Sequence, residues 1–286
     1  MNLTIKEAFT VFENYLKDYK IENARLETRI LFCRALNLLP TQIFTKEKEV
    51  ISSRDYRTLK SLFKKKIKGY PTAYITGEKE FFSRNFLVNK NVLIPRPETE
   101  ELIEWIIYNT SKEKKEKLDL IDIGCGSGCI GITLFLELNI NCLTFIDISR
   151  KALKVCQKNV EKLILNDAAN IEYIKNNFLN MKDFRPFDMA VSNPPYVLID
   201  EFKQLDKSVK DFEPKKGLLV KNPEVFFKTF FQNVFSLLKG GGTFYLETNP
   251  LLIELKRNLL SEAGFSDIEI KKDLSEKNRF IKCVKK

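Results

Sequence analysis

The sequence predicts an α/β fold with a doubly wound, mostly parallel sheet, preceded by a small all-helical domain and a β-hairpin connector. From residue 118 onwards, short apolar runs of strand length alternate with longer amphipathic segments. Repeated strand–helix units of this kind form a parallel sheet covered by helices. Before residue 70, apolar residues recur mainly at helical spacing. With 286 residues, the chain is long enough for two modest cores.

The N-terminal segment is predicted to be helical because its apolar residues recur every three or four positions, as at Ile5, Ala8 and Phe12. Gly69-Tyr70-Pro71 ends the last of these helices. From Tyr74 to Ile94 the pattern is short and β-like around Ser83-Arg84-Asn85, which predicts a hairpin. We therefore predict a helical domain at residues 1–72, a connector at 73–95 and an α/β domain at 96–286.

The α/β domain begins with a predicted helix from Glu98 to Tyr108, which has acidic residues in its first turn. The charged stretch from Ser111 to Lys117 is predicted to be a loop. Strands are then predicted at 118–123, 142–147, 171–174, 187–192, 243–247, 265–270 and 279–284. Helices are predicted at 128–138, 149–163, 223–238 and 251–263.

Composition narrows the possible chemistry. The chain has no histidine, which excludes Ser-His and Cys-His nucleophiles and histidine-ligated metal sites. The formal charge of +10 fits an acidic partner or simply a lysine-rich, solvated surface. The first twenty residues lack the apolar run of a signal peptide, and no run is long enough to span a bilayer. The six cysteines form no C-x-x-C pair. We expect a cytoplasmic monomer with free thiols and no metal.

A glycine-rich loop follows the first predicted strand of the sheet and indicates a cofactor site. It reads Gly124-Cys125-Gly126-Ser127-Gly128, and glycines allow a tight turn and a close approach of the backbone to a ligand. The segment from Gly126 to Gly131 also fits the pattern G-x-G-x-x-G of enzymes that bind a nicotinamide dinucleotide. Both that cofactor and S-adenosylmethionine need an acid on their ribose hydroxyls, and Asp147 lies where such an acid is expected. Asp122 favours S-adenosylmethionine, because its carboxylate suits the ammonium of that cofactor and would repel a pyrophosphate.

The tetrapeptide Asn193-Pro194-Pro195-Tyr196 follows the predicted strand 187–192 and indicates an acceptor site. Two prolines fix the backbone and remove two donors, so their carbonyl oxygens point in set directions. The side-chain oxygen of Asn193 and the carbonyl of Pro194 can accept hydrogen bonds from the two N–H groups of a substrate amide or amine. Tyr196 can stack on a planar target. These residues predict methyl transfer to a planar nitrogen.

Several stretches together resemble the bacterial release-factor glutamine N5-methyltransferases, the PrmC/HemK family. The matching stretches are 24–27, 74–77 with Glu80-Phe81, 92–100, 122–128, 192–196 and 212–214. The most distinctive is Val92-Leu-Ile-Pro-Arg-Pro-Glu-Thr-Glu100, which separates this family from the DNA adenine methyltransferases that share Asn-Pro-Pro-Tyr. The resemblance implies a Rossmann-like class I methyltransferase domain behind a helical domain that recognises the substrate.

The resemblance also implies roles for individual residues. Residues 124–128 would hold the methionine end of S-adenosylmethionine, Asp147 its ribose and Phe178 its adenine, with Asn193 at both the cofactor and the acceptor. The acceptor would be the glutamine in the Gly-Gly-Gln loop of class I peptide-chain release factors, with no stable nucleic-acid partner. Arg96 and Glu98 would either lie near the cleft or start a helix. The chain departs from the family pattern at Asn177 and at residues 215–222, 247–249 and 272–279.

Two other functions fit parts of the pattern. An adenine N6-methyltransferase acting on nucleic acid would share the glycine loop and the Asn-Pro-Pro-Tyr tetrapeptide, but it would need a base-recognition region. A catalytically silent binding protein would keep the fold and lose turnover. Asn177 and the altered loops are the residues that suggest the second possibility.

Overall fold

The computed structural model describes residues 3–112, 117–165, 170–181 and 185–286. Part of the predicted loop from Ser111 to Lys117 therefore lies outside the described residues. The chain divides into two compact units: residues 1–78 with 206–212, and residues 79–205 with 213–286. The predicted domain limits remain a prediction. No helix in the described ranges is long and apolar enough to cross a membrane.

The first unit is helical, as its spacing of apolar residues predicts. Its helices are α1 (Ile5–Asp18), α2 (Ala24–Leu36), α3 (Gln42–Thr45), α4 (Ser53–Ile67) and α5 (Thr72–Thr76). Thr4 and Glu7 cap α1 reciprocally, each binding the backbone N–H of the other. The core is built around aromatic rings: the centroid of Phe63 lies 4.5 Å from that of Phe12 and 6.1 Å from that of Phe32.

Glu27, in one of the family-like stretches, has a structural role in this unit. Its carboxylate pairs with Lys66 at 2.9 Å and accepts a hydrogen bond from the Thr72 hydroxyl. These contacts join α2 to α4 and α5. Lys66 is therefore half-buried, and its charge is paired within the unit.

A two-stranded sheet follows, with β1 (Glu78–Phe81) and β2 (Arg84–Leu87). The predicted hairpin is confirmed, but its predicted start and its predicted turn were wrong. Residues 74–76 belong to α5, and the turn is Phe82-Ser83, where both residues have positive φ as a tight hairpin requires. Phe81 and Phe86 are buried in the core of the second unit.

The second unit contains a seven-stranded, mostly parallel sheet with the order β5-β4-β3-β6-β7-β9-β8. Its strands are β3 (Leu118–Ile123), β4 (Ile140–Asp147), β5 (Ile171–Lys175), β6 (Phe187–Ser192), β7 (Leu238–Glu247), β8 (Phe265–Lys272) and β9 (Asn278–Lys285). Only β9 runs antiparallel to its two neighbours. The helices are α6 (Pro97–Lys112), α7 (Cys129–Glu137), α8 (Arg150–Leu163), α9 (Ile199–Gln204), α11 (Pro223–Leu237) and α12 (Ile253–Glu262). The predicted α/β architecture is confirmed.

Helices cover both faces of this sheet, because successive strand residues point to opposite sides. Leu120, Phe145 and Val191 face one core, which also contains residues of α6, α7 and α8. Ile121 and Ile146 face the other core, which also contains residues of α11 and α12. This burial on both faces explains why the central strands β3, β4, β6 and β7 are mostly apolar.

Among the described α-helices, three features were not predicted from the sequence. Helix α6 extends to Lys112, into the stretch that was predicted to be a loop. Helix α9 was missed, as was α10 (Lys207–Phe212), which belongs to the helical unit. There the ring of Phe212 lies 4.1 Å from that of Tyr70. Both missed helices have six residues, too few to show a helical period.

Candidate functional site

The candidate site lies where the order of the strands reverses. After β3 the chain proceeds outward through β4 and β5, then returns to place β6 on the other side of β3. The carboxyl ends of β3 and β6 therefore flank the crevice in which open α/β sheets bind ligands. The glycine loop follows β3 and Asn193 follows β6. The Ser192 hydroxyl donates to the carbonyl of Ile123 at 2.6 Å and joins the two strand ends.

The three glycines of the loop all have positive φ: 77° at Gly124, 55° at Gly126 and 79° at Gly128. A Cβ atom at Gly124 or Gly126 would meet no atom within 4 Å apart from its chain neighbours, so open space lies beside this part of the backbone. A Cβ at Gly128 would lie 2.6 Å from the sulfur of Cys156 on α8. The first two glycines thus leave room for a ligand, whereas the third allows the loop to pack on α8.

Asp147, at the carboxyl end of β4, shapes the same loop. Its carboxylate accepts hydrogen bonds from the backbone N–H of Gly126 at 3.0 Å and of Ser149 at 2.7 Å. Burial raises the pKa of Asp147, while these two hydrogen bonds oppose the shift. The side chain is therefore fixed beside Gly126, where the sequence predicts a ribose-binding acid.

Asp122 lies beneath the loop and is almost fully buried. Its carboxylate accepts a hydrogen bond from the N–H of Gly131, in the first turn of α7, at 2.9 Å. Burial raises the pKa of Asp122 to about 7, and the nearby Asp147 adds to the shift. The carboxyl group therefore supports the start of α7. Its predicted contact with a ligand ammonium remains a prediction.

Cys125 and Ser127 are buried within the loop, so they shape it mainly through packing and backbone contacts. Asn159, buried in α8, donates to the carbonyls of Ser127 at 2.9 Å and Leu87 at 3.0 Å, and accepts from the N–H of Leu87 at 2.7 Å. This amide ties the loop to the hairpin. Sequence reasoning missed Asn159, because a lone asparagine within a helix carries no motif.

Phe178 follows β5, in a single 3₁₀ turn that Asn177 caps through a hydrogen bond to Leu179 N–H. Phe178 is only 7% exposed, and the centroid of its ring lies 5.0 Å from that of Phe230 in the core. Little of this ring can therefore face a bound adenine. Its cofactor role remains a prediction.

The acceptor tetrapeptide continues from β6. Pro194 is buried, whereas Asn193, Pro195 and Tyr196 are half-buried. The Tyr196 hydroxyl donates to the carboxylate of Glu247, at the end of β7, at 3.1 Å. Burial raises the pKa of Tyr196 well above its usual range, and the charge of Glu247 adds to this effect. Asn193 thus lies beside the crevice, while Tyr196 is anchored on the neighbouring strand.

Two of the stretches that resemble the family, residues 92–100 and 212–214, meet near Tyr196 and Glu247. Glu213 is buried and accepts from the Arg96 guanidinium at 2.7 Å and from the Ile94 N–H at 3.2 Å. Burial is the main reason that the pKa of Glu247 is raised, and the charge of Glu98, in the first turn of α6, adds to it. Arg96 therefore fixes the approach to α6, and Glu98 lies near the residue that holds Tyr196.

Lys256, on α12, is fully buried near the same tyrosine. Its Nζ lies 3.9 Å from the centroid of the Phe227 ring and 5.9 Å from that of Tyr196. Within the described ranges, this nitrogen has no hydrogen-bond partner, and burial lowers its pKa well below the usual range. Among the described residues, no cluster of acidic and sulfur side chains is arranged to hold a metal ion.

Comparisons with known proteins agree with this arrangement. The PrmC N-terminal domain model matches residues 7–77, and the methyltransferase small domain model matches residues 105–209. A release factor glutamine methyltransferase of Leptospira interrogans is 36% identical over 94% of this chain and 94% of its own. Enzymes of the same name from Flavobacterium psychrophilum and Koribacter versatilis are 41% and 34% identical, over 74% and 86% of both chains respectively. The chain therefore belongs to the release factor glutamine methyltransferase family.

Proposed function

We propose that the chain transfers the methyl group of S-adenosylmethionine to the side-chain amide nitrogen, N5, of the glutamine in the Gly-Gly-Gln loop of class I peptide-chain release factors. One observation carries the proposal: the glycine loop and Asn193 flank the same crevice, at the carboxyl ends of β3 and β6. The names of the relatives support the choice of acceptor.

The residues around the loop fit the parts of this cofactor. The space beside Gly124 and Gly126 suits the methionine end. Asp147 can accept hydrogen bonds from ribose hydroxyls, and Asp122 can favour the ammonium through its charge. The small exposed part of Phe178 can contact the adenine. The cofactor supplies an electrophilic methyl group on a sulfonium.

The tetrapeptide addresses the weak nucleophilicity of an amide, whose lone pair is delocalised into its carbonyl. The side-chain oxygen of Asn193 and the carbonyl of Pro194 accept hydrogen bonds from the two N–H groups of the glutamine amide. These bonds favour a tetrahedral nitrogen and direct its lone pair towards the methyl group. The new N–C bond forms as the S–C bond breaks, and the nitrogen loses one proton to solvent. Positioning and fixed dipoles provide most of the acceleration.

The direct test uses a purified class I release factor and methyl-labelled S-adenosylmethionine. Mass spectrometry should find one methyl group in place of one hydrogen on the Gly-Gly-Gln glutamine. A release factor with alanine at that glutamine is the matched control and should remain unmodified. Label on the control protein would show that the acceptor is wrong. Label on adenine in added DNA or RNA, with none on the release factor, would instead favour a nucleic-acid methyltransferase.

We further propose that the protein acts as a cytoplasmic monomer without a stable nucleic-acid partner. All six cysteines are free, and five are buried, which fits a reducing compartment. Light scattering coupled to gel filtration would test the monomer. An elution mass of two chains or more would contradict it.

A further inference from the structure

We propose that Glu247 is a positioning residue for methyl transfer, which holds Tyr196 in place through a buried chain of hydrogen bonds that starts at Thr99. The inference rests on the proposed function, because it assigns Tyr196 to the acceptor side of the site. Nothing in the sequence pattern alone indicated this role for Glu247.

The chain of hydrogen bonds joins α6, β7 and the tetrapeptide that follows β6. Glu247 is the last residue of β7 and is 1% exposed. One carboxylate oxygen accepts from the Tyr196 hydroxyl at 3.1 Å, and the other accepts from the Thr99 hydroxyl, in the first turn of α6, at 2.7 Å. Both oxygens therefore have a donor.

Strand register explains why these residues meet. In the parallel pair of β6 and β7, Ser192 lies opposite Leu246, so Glu247 lies level with the first residue of the tetrapeptide. Thr99 reaches the same point from α6, and it belongs to the distinctive stretch of residues 92–100. The register therefore connects that stretch to the acceptor site.

A buried carboxylate needs a reason, because removing its charge from water is costly and an apolar residue of similar size often gives equal or greater stability. Burial raises the pKa of Glu247, while the hydrogen bonds from Thr99 and Tyr196 oppose the shift. The group is thus held where it accepts from both hydroxyls. Packing alone would not require a carboxylate at this position.

Tyr196 is held at both ends. Besides its hydroxyl, its backbone carbonyl lies 3.5 Å from the side-chain nitrogen of Asn249, and the N–H of the next residue, Val197, donates to Leu218 at 2.9 Å. Release of the hydroxyl would leave Tyr196 held only by these backbone contacts, so the ring could rotate and this part of the backbone would open more readily. Since a shift of about 1 Å in a reacting group can cost about a hundredfold in rate, we expect the effect to appear in kcat.

The test compares Glu247→Leu, Glu247→Gln, Tyr196→Phe and the double variant Tyr196→Phe/Glu247→Leu. Leucine removes both acceptors, so kcat should fall about 10- to 100-fold, with KM for S-adenosylmethionine within about twofold of wild type. Glutamine can still accept from Tyr196 and donate to Thr99, so we expect kcat within about threefold of wild type. The double variant should be no slower than the slower single variant, because both changes break one contact.

A matched control separates positioning from general loss of stability. Asp188 lies at the opposite end of β6, where it accepts from Lys239 at 2.8 Å and from the Asp119 N–H at 2.9 Å. Asp188→Leu also removes a carboxylate bound by two donors, but far from the tetrapeptide. This variant should have a lower midpoint of thermal unfolding. Its kcat should be unchanged when the enzyme concentration is taken as the concentration of sites that bind S-adenosylhomocysteine. Wild-type kcat in Glu247→Leu, or an equal loss in Asp188→Leu, would overturn the proposal.

Hydrogen exchange provides a second measurement, which needs no release factor or other methyl acceptor. With S-adenosylhomocysteine bound, the amides of Tyr196 and Val197 should exchange at least about tenfold faster in Glu247→Leu than in wild type or Glu247→Gln. Equal exchange in all three proteins would refute the positioning role. If wild type modifies no glutamine, the proposed function fails, and this comparison still decides whether Glu247 orders Tyr196.

Discussion

The binding of S-adenosylmethionine should depend on the protonation of Asp122. Burial raises the pKa of this carboxyl group to about 7, and Gly131 N–H is hydrogen-bonded to it at 2.9 Å. A ligand ammonium favours the charged carboxylate, so binding should strengthen as pH rises through this range. The substitution Asp122→Asn keeps an oxygen for Gly131 and removes the charge.

The size of the effect follows from this pKa. The carboxyl group is about one-tenth ionised at pH 6 and about nine-tenths ionised at pH 8, so a ligand that binds only the charged form should gain about tenfold in affinity, or about 1.4 kcal/mol. Asp147 also has a raised pKa. Its proposed partner is a neutral ribose, so it should add little to the dependence.

Isothermal titration calorimetry from pH 6 to pH 8 would measure the dissociation constant of S-adenosylmethionine for wild type and Asp122→Asn. The wild-type constant should fall about tenfold, and that of the variant should stay within about twofold. 5′-Methylthioadenosine, which shares the ribose and adenine but lacks the ammonium, is the control ligand and should show little pH dependence in either protein. A tenfold change that persists in Asp122→Asn would refute the assignment, as would a flat wild-type profile.

Four further substitutions test other parts of the second unit. Asn193→Ala should retain affinity for S-adenosylhomocysteine by calorimetry but lose about 10²- to 10³-fold in kcat, and undiminished turnover would contradict the proposed acceptor site. Gly128→Ala should lower the free energy of unfolding in urea by about 2–5 kcal/mol, because strain at positive φ adds to the clash with Cys156. Gly124→Ala has open space, so it should lose only about 1–2 kcal/mol, and equal losses would refute the packing argument. Lys256→Met should raise the unfolding free energy by about 1–3 kcal/mol at pH 7, because it replaces a buried amine that has no described partner. The lowered pKa of Lys256 makes the unfolded state bind more protons between its folded and unfolded pKa values, so wild-type stability rises with pH there. The advantage of Lys256→Met should therefore shrink towards pH 10, and a constant advantage would contradict the argument.

Much of the second unit could be predicted from sequence because its signals are local. Strands buried on both faces are mostly apolar, as in Leu118–Ile123, and the glycines that follow mark a turn with positive φ. The tetrapeptide was recognisable because its four residues are consecutive. Residues 199–204 and 207–212 carried no comparable signal, because each helix is less than two turns long.

Residues that meet over long sequence distances could not be identified in this way. Thr99 and Glu247 are 148 positions apart, and Arg96 and Glu213 are 117 apart, yet each pair is hydrogen-bonded. Their meeting depends on β6 and β7 being neighbours in one register and on where α6 begins. A sequence pattern reports which face of an element is apolar, but not which distant side chain will face it.

The amino-acid sequence by itself therefore determined the order of the strands and of the longer helices, the glycine loop and the acceptor tetrapeptide, because short-range periodicity and backbone restrictions encode them. The tertiary structure decided that Asp122 is buried beneath the loop, that Phe178 is largely covered, and that Glu247 binds Tyr196. Burial and pairing of this kind arise only when distant strands and helices pack together, which removes some charges from water and brings their partners within reach.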